Sequence, residues 1–93
     1  MKKVVIIPTY NERENIAKMI DTVMALDGLF DLLIVDDGSP DGTADIVRER
    51  QKRYGDRLFM IERSGKLGLG TAYIAGFKFA LERGYDHVWR GVL

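Results

Sequence analysis

Two adjacent carboxylates close an apolar run. Leu32-Leu33-Ile34-Val35 leads into Asp36-Asp37-Gly38-Ser39-Pro40-Asp41-Gly42-Thr43. A carboxylate is an acceptor-only group, so Asp36 and Asp37 suit an imide or amide N–H of a base, a ribose hydroxyl, or a divalent cation. Two further segments carry chemistry of a matching kind. Pro8-Thr9-Tyr10-Asn11-Glu12 offers an aromatic face, a hydroxyl and a carboxylate, suited to a nucleobase and its ribose. Ser64-Gly65-Lys66-Leu67-Gly68-Leu69-Gly70 offers a cation, glycines that allow close approach, and the first N–H groups of a helix, which together suit a phosphate.

The elements that must position these segments repeat. Val4-Val5-Ile6-Ile7 is a β-branched run, as expected of a parallel strand covered on both faces. Asn11 is read as a helix cap, with Glu14 in the capping-box position. Ile16, Met19, Ile20, Val23 and Met24 recur at helical spacing as one core-facing stripe, and Gly28 is a stop signal. Leu32 to Val35 is a second strand. Asp41 or Thr43 starts a second helix with Ile46, Val47 and Tyr54 inward and the basic run 48–53 in water. Gly55-Asp56 is a turn, Leu58 to Ile61 a third strand, and a third helix runs from the glycine-rich loop to about Arg83, ended by Gly84. Tyr85 to Leu93 has the composition to start a fourth strand. Alternating strands and helices predict an α/β fold, a three-layer α/β/α sandwich on a parallel sheet, whose strand-to-helix loops share one rim.

Each candidate has a purely structural reading. Glu12 is equally a first-turn residue favoured by the helix dipole. Asp41 is a cap, Gly38 and Gly42 are turn residues, and Arg57 and Arg63 are surface charges flanking a strand. Tyr73, Phe77 and Phe79 pack, and His87 has no assigned role. Asp36 and Asp37 are harder to explain this way, because neighbouring carboxylates repel and point to opposite faces of a strand. The glycine-rich loop lacks both the G-x-G-x-x-G order and the G-K-[ST] ending, so it is not a dinucleotide fingerprint or a phosphate loop.

Composition narrows the classes. The 93 residues balance 14 Lys+Arg against 14 Asp+Glu, which argues against a general nucleic-acid binder. There is no cysteine, hence no disulfide or thiolate metal site. No apolar stretch has the length of a membrane span, and the chain reads as cytoplasmic. A receiver domain would need a phospho-acceptor Asp after the third strand, where the chain has Glu62-Arg63-Ser64. A Walker-B reading of Leu32 to Asp37 fails for want of a phosphate loop.

Three segments in order carry a resemblance: Ile7-Pro8-Thr9-Tyr10-Asn11-Glu12, Val35 to Thr43, and Lys66-Leu67-Gly68-Leu69-Gly70-Thr71-Ala72. Over residues 4 to about 85 the chain resembles the N-terminal half of a family 2 inverting glycosyltransferase, most similar to the dolichyl- or polyprenyl-phosphate mannosyltransferases of the dolichol-phosphate mannose synthase type. The resemblance implies a nucleotide-diphospho-sugar (GT-A) fold and transfer of mannose from GDP-mannose, or another hexose from a UDP-sugar, to polyprenyl phosphate at the cytoplasmic face of a membrane. It implies that Pro8, Tyr10 and Glu12 line the base and ribose site, that Asp37 contacts base or ribose with Asp36 supporting the turn, and that Lys66 and Gly68 lie along the pocket. It assigns no catalytic residue. It also implies Mg²⁺ or Mn²⁺ held by an Asp-x-Asp motif at the end of the next strand. Gly84 to Leu93 shows no such motif, since Asp86 precedes the expected strand. Residues 1–93 are therefore expected to form the nucleotide-sugar-binding half of a longer domain, inactive alone, with a non-catalytic nucleotide-binding or interaction module as the alternative. A sheet of three strands would expose edges and is expected to associate through them.

Overall fold

In the computed structural model, which describes residues 2–26, 29–65 and 68–91, the order is β1 (Lys3–Thr9), α1 (Ile16–Met24), β2 (Asp31–Asp36), α2 (Thr43–Tyr54), β3 (Leu58–Glu62), α3 (Leu69–Glu82) and β4 (His87–Arg90). A single 3-10 turn, Gly55–Arg57, joins α2 to β3. The four strands form one parallel sheet in the order β3-β2-β1-β4. The three-strand sheet expected from sequence is thus corrected. Tyr85 to Gly91 has room to pair because β1 has a free side, and β4 takes it, with Lys3 opposite His87 and Ile6 opposite Arg90. Asp86 precedes that strand, and its side chain accepts the Lys2 backbone N–H.

Alternation along the strands divides the core into two layers. Ile7, Leu32, Ile34 and Leu58 face α1 and α2, where they meet Ile16, Ile20, Val23, Met24 and Val47. Val4, Ile6, Leu33 and Val35 face α3, where they meet Ala72 and Ala80. The apolar stripe of the first helix and the inward Ile46, Val47 and Tyr54 of the second stand as read from the sequence. Small residues let α3 lie close. A Cβ on Gly76 would sit 2.6 Å from Ile6 Cγ2, so the helix backbone rests directly on the Ile6 side chain of β1.

The Asn11–Glu14 capping box does not form. The helix begins at Ile16, after Asn15, which makes no side-chain cap bond, and Asn11 has φ +54°. The reason lies in the next loop. The Asn11 N–H donates to Ser39 Oγ at 2.9 Å, the Glu12 N–H to Thr43 Oγ1 at 3.0 Å, and the Arg13 N–H to Asp41 Oδ2 at 3.2 Å. Backbone donors that a local cap would leave open are met by side chains of the β2–α2 loop instead. Asp41 is accordingly structural. It also accepts from the Thr43 N–H and hydroxyl, and these donors, the hydroxyl foremost, hold its carboxyl below the ordinary 3.8. Gly28, read as a helix stop, lies outside the described residues.

Two basic side chains expected in water are partly withdrawn from it. The Arg57 guanidinium donates to the Phe30 carbonyl at 2.8 Å. Arg50 donates from Nε and Nη2 to the two oxygens of Asp21, at 3.1 and 3.2 Å, and the Tyr54 hydroxyl donates to the same carboxylate at 2.7 Å, tying α2 to α1. The Tyr54 hydroxyl, with Arg50 and Arg53 behind it, holds the Asp21 carboxyl below 3.8, against a partial burial that pulls the other way. A depressed folded-state pKa contributes stability that is present above the unfolded value and lost as pH falls through the folded one. Asp21→Asn is therefore expected to cost about 0.5–1 kcal/mol near neutrality, a small figure because water screens a side chain 36% exposed. The difference from wild type, measured by urea melts, should close as pH drops below 3.8. A gap that persists unchanged at pH 2.5 would show that the carboxylate's charge is not what holds the two helices.

Candidate nucleotide site at the strand tips

The tips of β1, β2 and β3 continue the sheet ladder into their loops. The Asp37 N–H donates to the Thr9 carbonyl and the Arg63 N–H to the Asp36 carbonyl. Because Pro8 is opposite Val35 and Thr9 opposite Asp36, side-chain alternation sorts the tip residues by face. Thr9 and Asp36 turn toward the α1 and α2 side. Pro8, Tyr10 and Asp37 turn toward α3.

Asp36 is consumed by structure. Its Oδ1 accepts from the hydroxyls of Thr9 and Ser39, each at 2.7 Å, and its Oδ2 from the Ser39 N–H at 3.0 Å. These bonds hold the turn to the tip of β1. The turn also needs Gly38, which has φ +71° and lies against the next loop, where a Cβ would be 2.9 Å from the Gly65 nitrogen and 3.1 Å from the Arg63 carbonyl oxygen.

Asp37 is buried as well, but differently. Arg63 Nε donates to its Oδ1 at 2.6 Å, with side chains 12% and 8% exposed for Arg63 and Asp37. Arg63 is therefore not the surface charge expected from the sequence. It follows Glu62, and since Asp36 pairs with Glu62, it stands directly across from Asp37 on the same face. Its other nitrogens donate to Thr71 Oγ1 at 3.0 Å and to the Gly68 carbonyl at 3.3 Å, at the start of α3. The signal lies in the register of β3 against β2, which puts the residue after the third strand opposite the second aspartate and which no local reading of the sequence supplies.

Pro8, Thr9, Tyr10, Asp37, Gly68 and Leu69 line one recess of about 120 Å³. Of the residues expected around a nucleotide, Pro8, Tyr10, Asp37 and Gly68 are brought together there, and Asp36 braces them from behind. Glu12 is not among the lining residues. Its carboxylate accepts the Asn15 side-chain amide at 3.3 Å, and its carbonyl accepts the N–H groups of Asn15 and Ile16, which suits a helix-start residue. Lys66 lies outside the described residues. A larger hollow, about 290 Å³, is lined by Asn15, Lys18, Met19 and Thr22 on α1, but it gathers no carboxylate or aromatic ring and stands away from the strand tips. Among the described residues no group of three or more His, Cys, Asp or Glu side chains is placed to hold a metal ion. No helix there is long and apolar enough to cross a membrane.

The chain is 46% identical over 85 residues to a polyprenol monophosphomannose synthase of Mycolicibacterium smegmatis, covering 91% of this chain and 32% of that protein. It is 44% identical over 86 residues to an undecaprenyl-phosphate mannosyltransferase of Micrococcus luteus, covering 92% and 35%. The chain thus spans about a third of the length of these relatives. Among solved structures, a mannosyltransferase from Pyrobaculum calidifontis in complex with GDP-Man and Mn²⁺ superimposes with a TM-score of 0.78 at 28% identity, over 85% of this chain and 24% of that one. Over the matched residues the fold is thereby that of part of an α/β nucleotide-sugar transferase domain. Residues 4–85 match the profile described as glycosyl transferase family 2, and the chain belongs to that family.

Proposed function

We propose that this chain supplies the donor-nucleotide side of a glycosyltransferase that moves mannose, or another hexose, from a nucleoside-diphospho sugar to a polyprenyl or dolichyl phosphate. The observation that carries this reading is the convergence of Tyr10, Asp37 and the start of α3 on one recess. A recess of about 120 Å³ is small against the roughly 300–1,000 Å³ of a typical ligand pocket, so it accepts one part of a donor, a base or a ribose. Tyr10 supplies an apolar face, Asp37 an acceptor for N–H or O–H donors, and the N-terminus of α3 backbone N–H groups that favour negative charge. The names of the two bacterial relatives support polyprenyl phosphate as acceptor, and the bound GDP-Man of the archaeal structure supports GDP-mannose as donor.

In such a transfer an acceptor phosphate oxygen attacks the anomeric carbon with inversion, and the nucleoside diphosphate leaves. The attacking phosphate is already anionic, so no side chain of this chain is assigned as a base. A divalent ion of the kind seen in the archaeal structure would neutralise the leaving diphosphate. The part proposed for this chain is binding of the donor nucleotide.

Titration of the chain with GDP, GDP-mannose and UDP-sugars, with and without Mn²⁺, tests the reading. Saturable nucleotide binding without turnover is expected, and Asp37→Asn should weaken it by about 1–3 kcal/mol through loss of a charged hydrogen bond. Turnover by this chain would assign it more than the donor side. Binding of none of these nucleotides would remove the donor-site assignment and leave the family and the fold.

A further inference from the structure

We propose that Arg63 is the positioning residue of this donor site, holding the Asp37 carboxylate in place and fastening it to the start of α3. The inference rests on the nucleotide reading above and goes further, because it assigns a role to a residue outside the binding set. Three observations support it. The guanidinium is nearly buried and reaches acceptors on two separate elements, Asp37 after β2 and Gly68 with Thr71 at α3. Two of those residues, Asp37 and Gly68, are walls of the recess. Thr71 in turn donates to the Gly68 carbonyl at 2.8 Å, so the carbonyl is gripped twice. A planar guanidinium spans these acceptors from one rigid group, whereas a lysine ammonium is a single point charge on a flexible stem. With Oδ1 engaged by Nε, the carboxylate cannot swing, and the acceptor it presents to the recess is fixed before any ligand arrives. That pre-arrangement lowers the ordering cost of binding.

The test is calorimetric titration of GDP into the full chain and its Arg63→Lys, Asp37→Asn and combined variants, with amide NMR spectra confirming that each is folded. Arg63→Lys, which keeps the charge and loses the fork, is expected to weaken GDP about tenfold. In the combined variant Arg63→Lys should add less than about twofold to the loss from Asp37→Asn, because both act through one carboxylate. If Arg63→Lys does not fold, Arg63→Gln, which retains a planar N–H donor, takes its place. Wild-type binding that Arg63→Lys leaves within about twofold, or losses that simply multiply in the combined variant, overturns the positioning role while the donor site stands. Absence of GDP and UDP binding by the wild type overturns both.

Discussion

Arg63→Met is expected to lower the stability of the fold by about 3–5 kcal/mol, the cost of leaving one member of a buried ion pair without its partner. The variant keeps an apolar stem of similar length but strips Asp37 of its cation. Asp37 is 8% exposed, flanked by the β2 turn and the α3 terminus, and the water that reaches it through the recess replaces only part of the lost guanidinium. A domain of this size has a total stability of about 5–15 kcal/mol, so the loss is a large share of what there is. At roughly 4–8 °C per kcal/mol, the melting temperature should fall by more than about 10 °C. The companion variant Asp37→Leu with Arg63→Met removes both charges and should regain most of the difference, since an apolar pair of like volume is often as stable as a buried ion pair. Urea denaturation of the three proteins decides the matter. An Arg63→Met chain within about 1 kcal/mol of wild type would mean that the pair is effectively solvated.

Gly38→Ala is expected to cost about 2–5 kcal/mol, as the sum of two separable effects. The residue has φ +71°, a conformation that charges any L side chain about 1–2 kcal/mol. The added methyl would also press on backbone, the Gly65 nitrogen and the Arg63 carbonyl, which cannot turn aside as a side-chain end does. That crowding adds about 1–3 kcal/mol or drives the two loops apart. Gly42 provides the control. It has φ +91°, and nothing lies within 4 Å of the place a methyl would take, so Gly42→Ala should show the conformational part alone. Equal losses at the two glycines would show that the loops are not in close contact. A larger loss at Gly38, together with weakened GDP binding, would tie the close approach to the site.

Much of this was legible in the sequence, and the limits are instructive. The strands, the helical stripes and the shared rim follow from periodicity, which depends only on residues near in sequence. The opposite orientations of Asp36 and Asp37 also follow, and the structure adds what each one meets. The capping box failed where one of its two donors, the Asn11 N–H, is taken by Ser39 and the neighbouring Glu12 and Arg13 N–H groups by Thr43 and Asp41, some 28 to 31 positions away, a competition that no local pattern records. Arg63 escapes a local reading for a similar reason. Charge beside a strand end usually lies in water, and only the register of β3 against β2 places this one across from a buried acid.

The bare backbone at Gly76 has a reach beyond its own position. Because the α3 backbone at Gly76 leans directly on the Ile6 side chain, between the buried Ala72 and Ala80, the height of the helix above the sheet is set in part there, two turns downstream of Gly68 and Leu69. The helix behaves as a rod whose seat fixes where its leading end comes to rest. The gap between Tyr10 and that leading end is therefore gauged from inside the core, where side-chain bulk at positions 6 and 76 adjusts an aperture that neither residue touches.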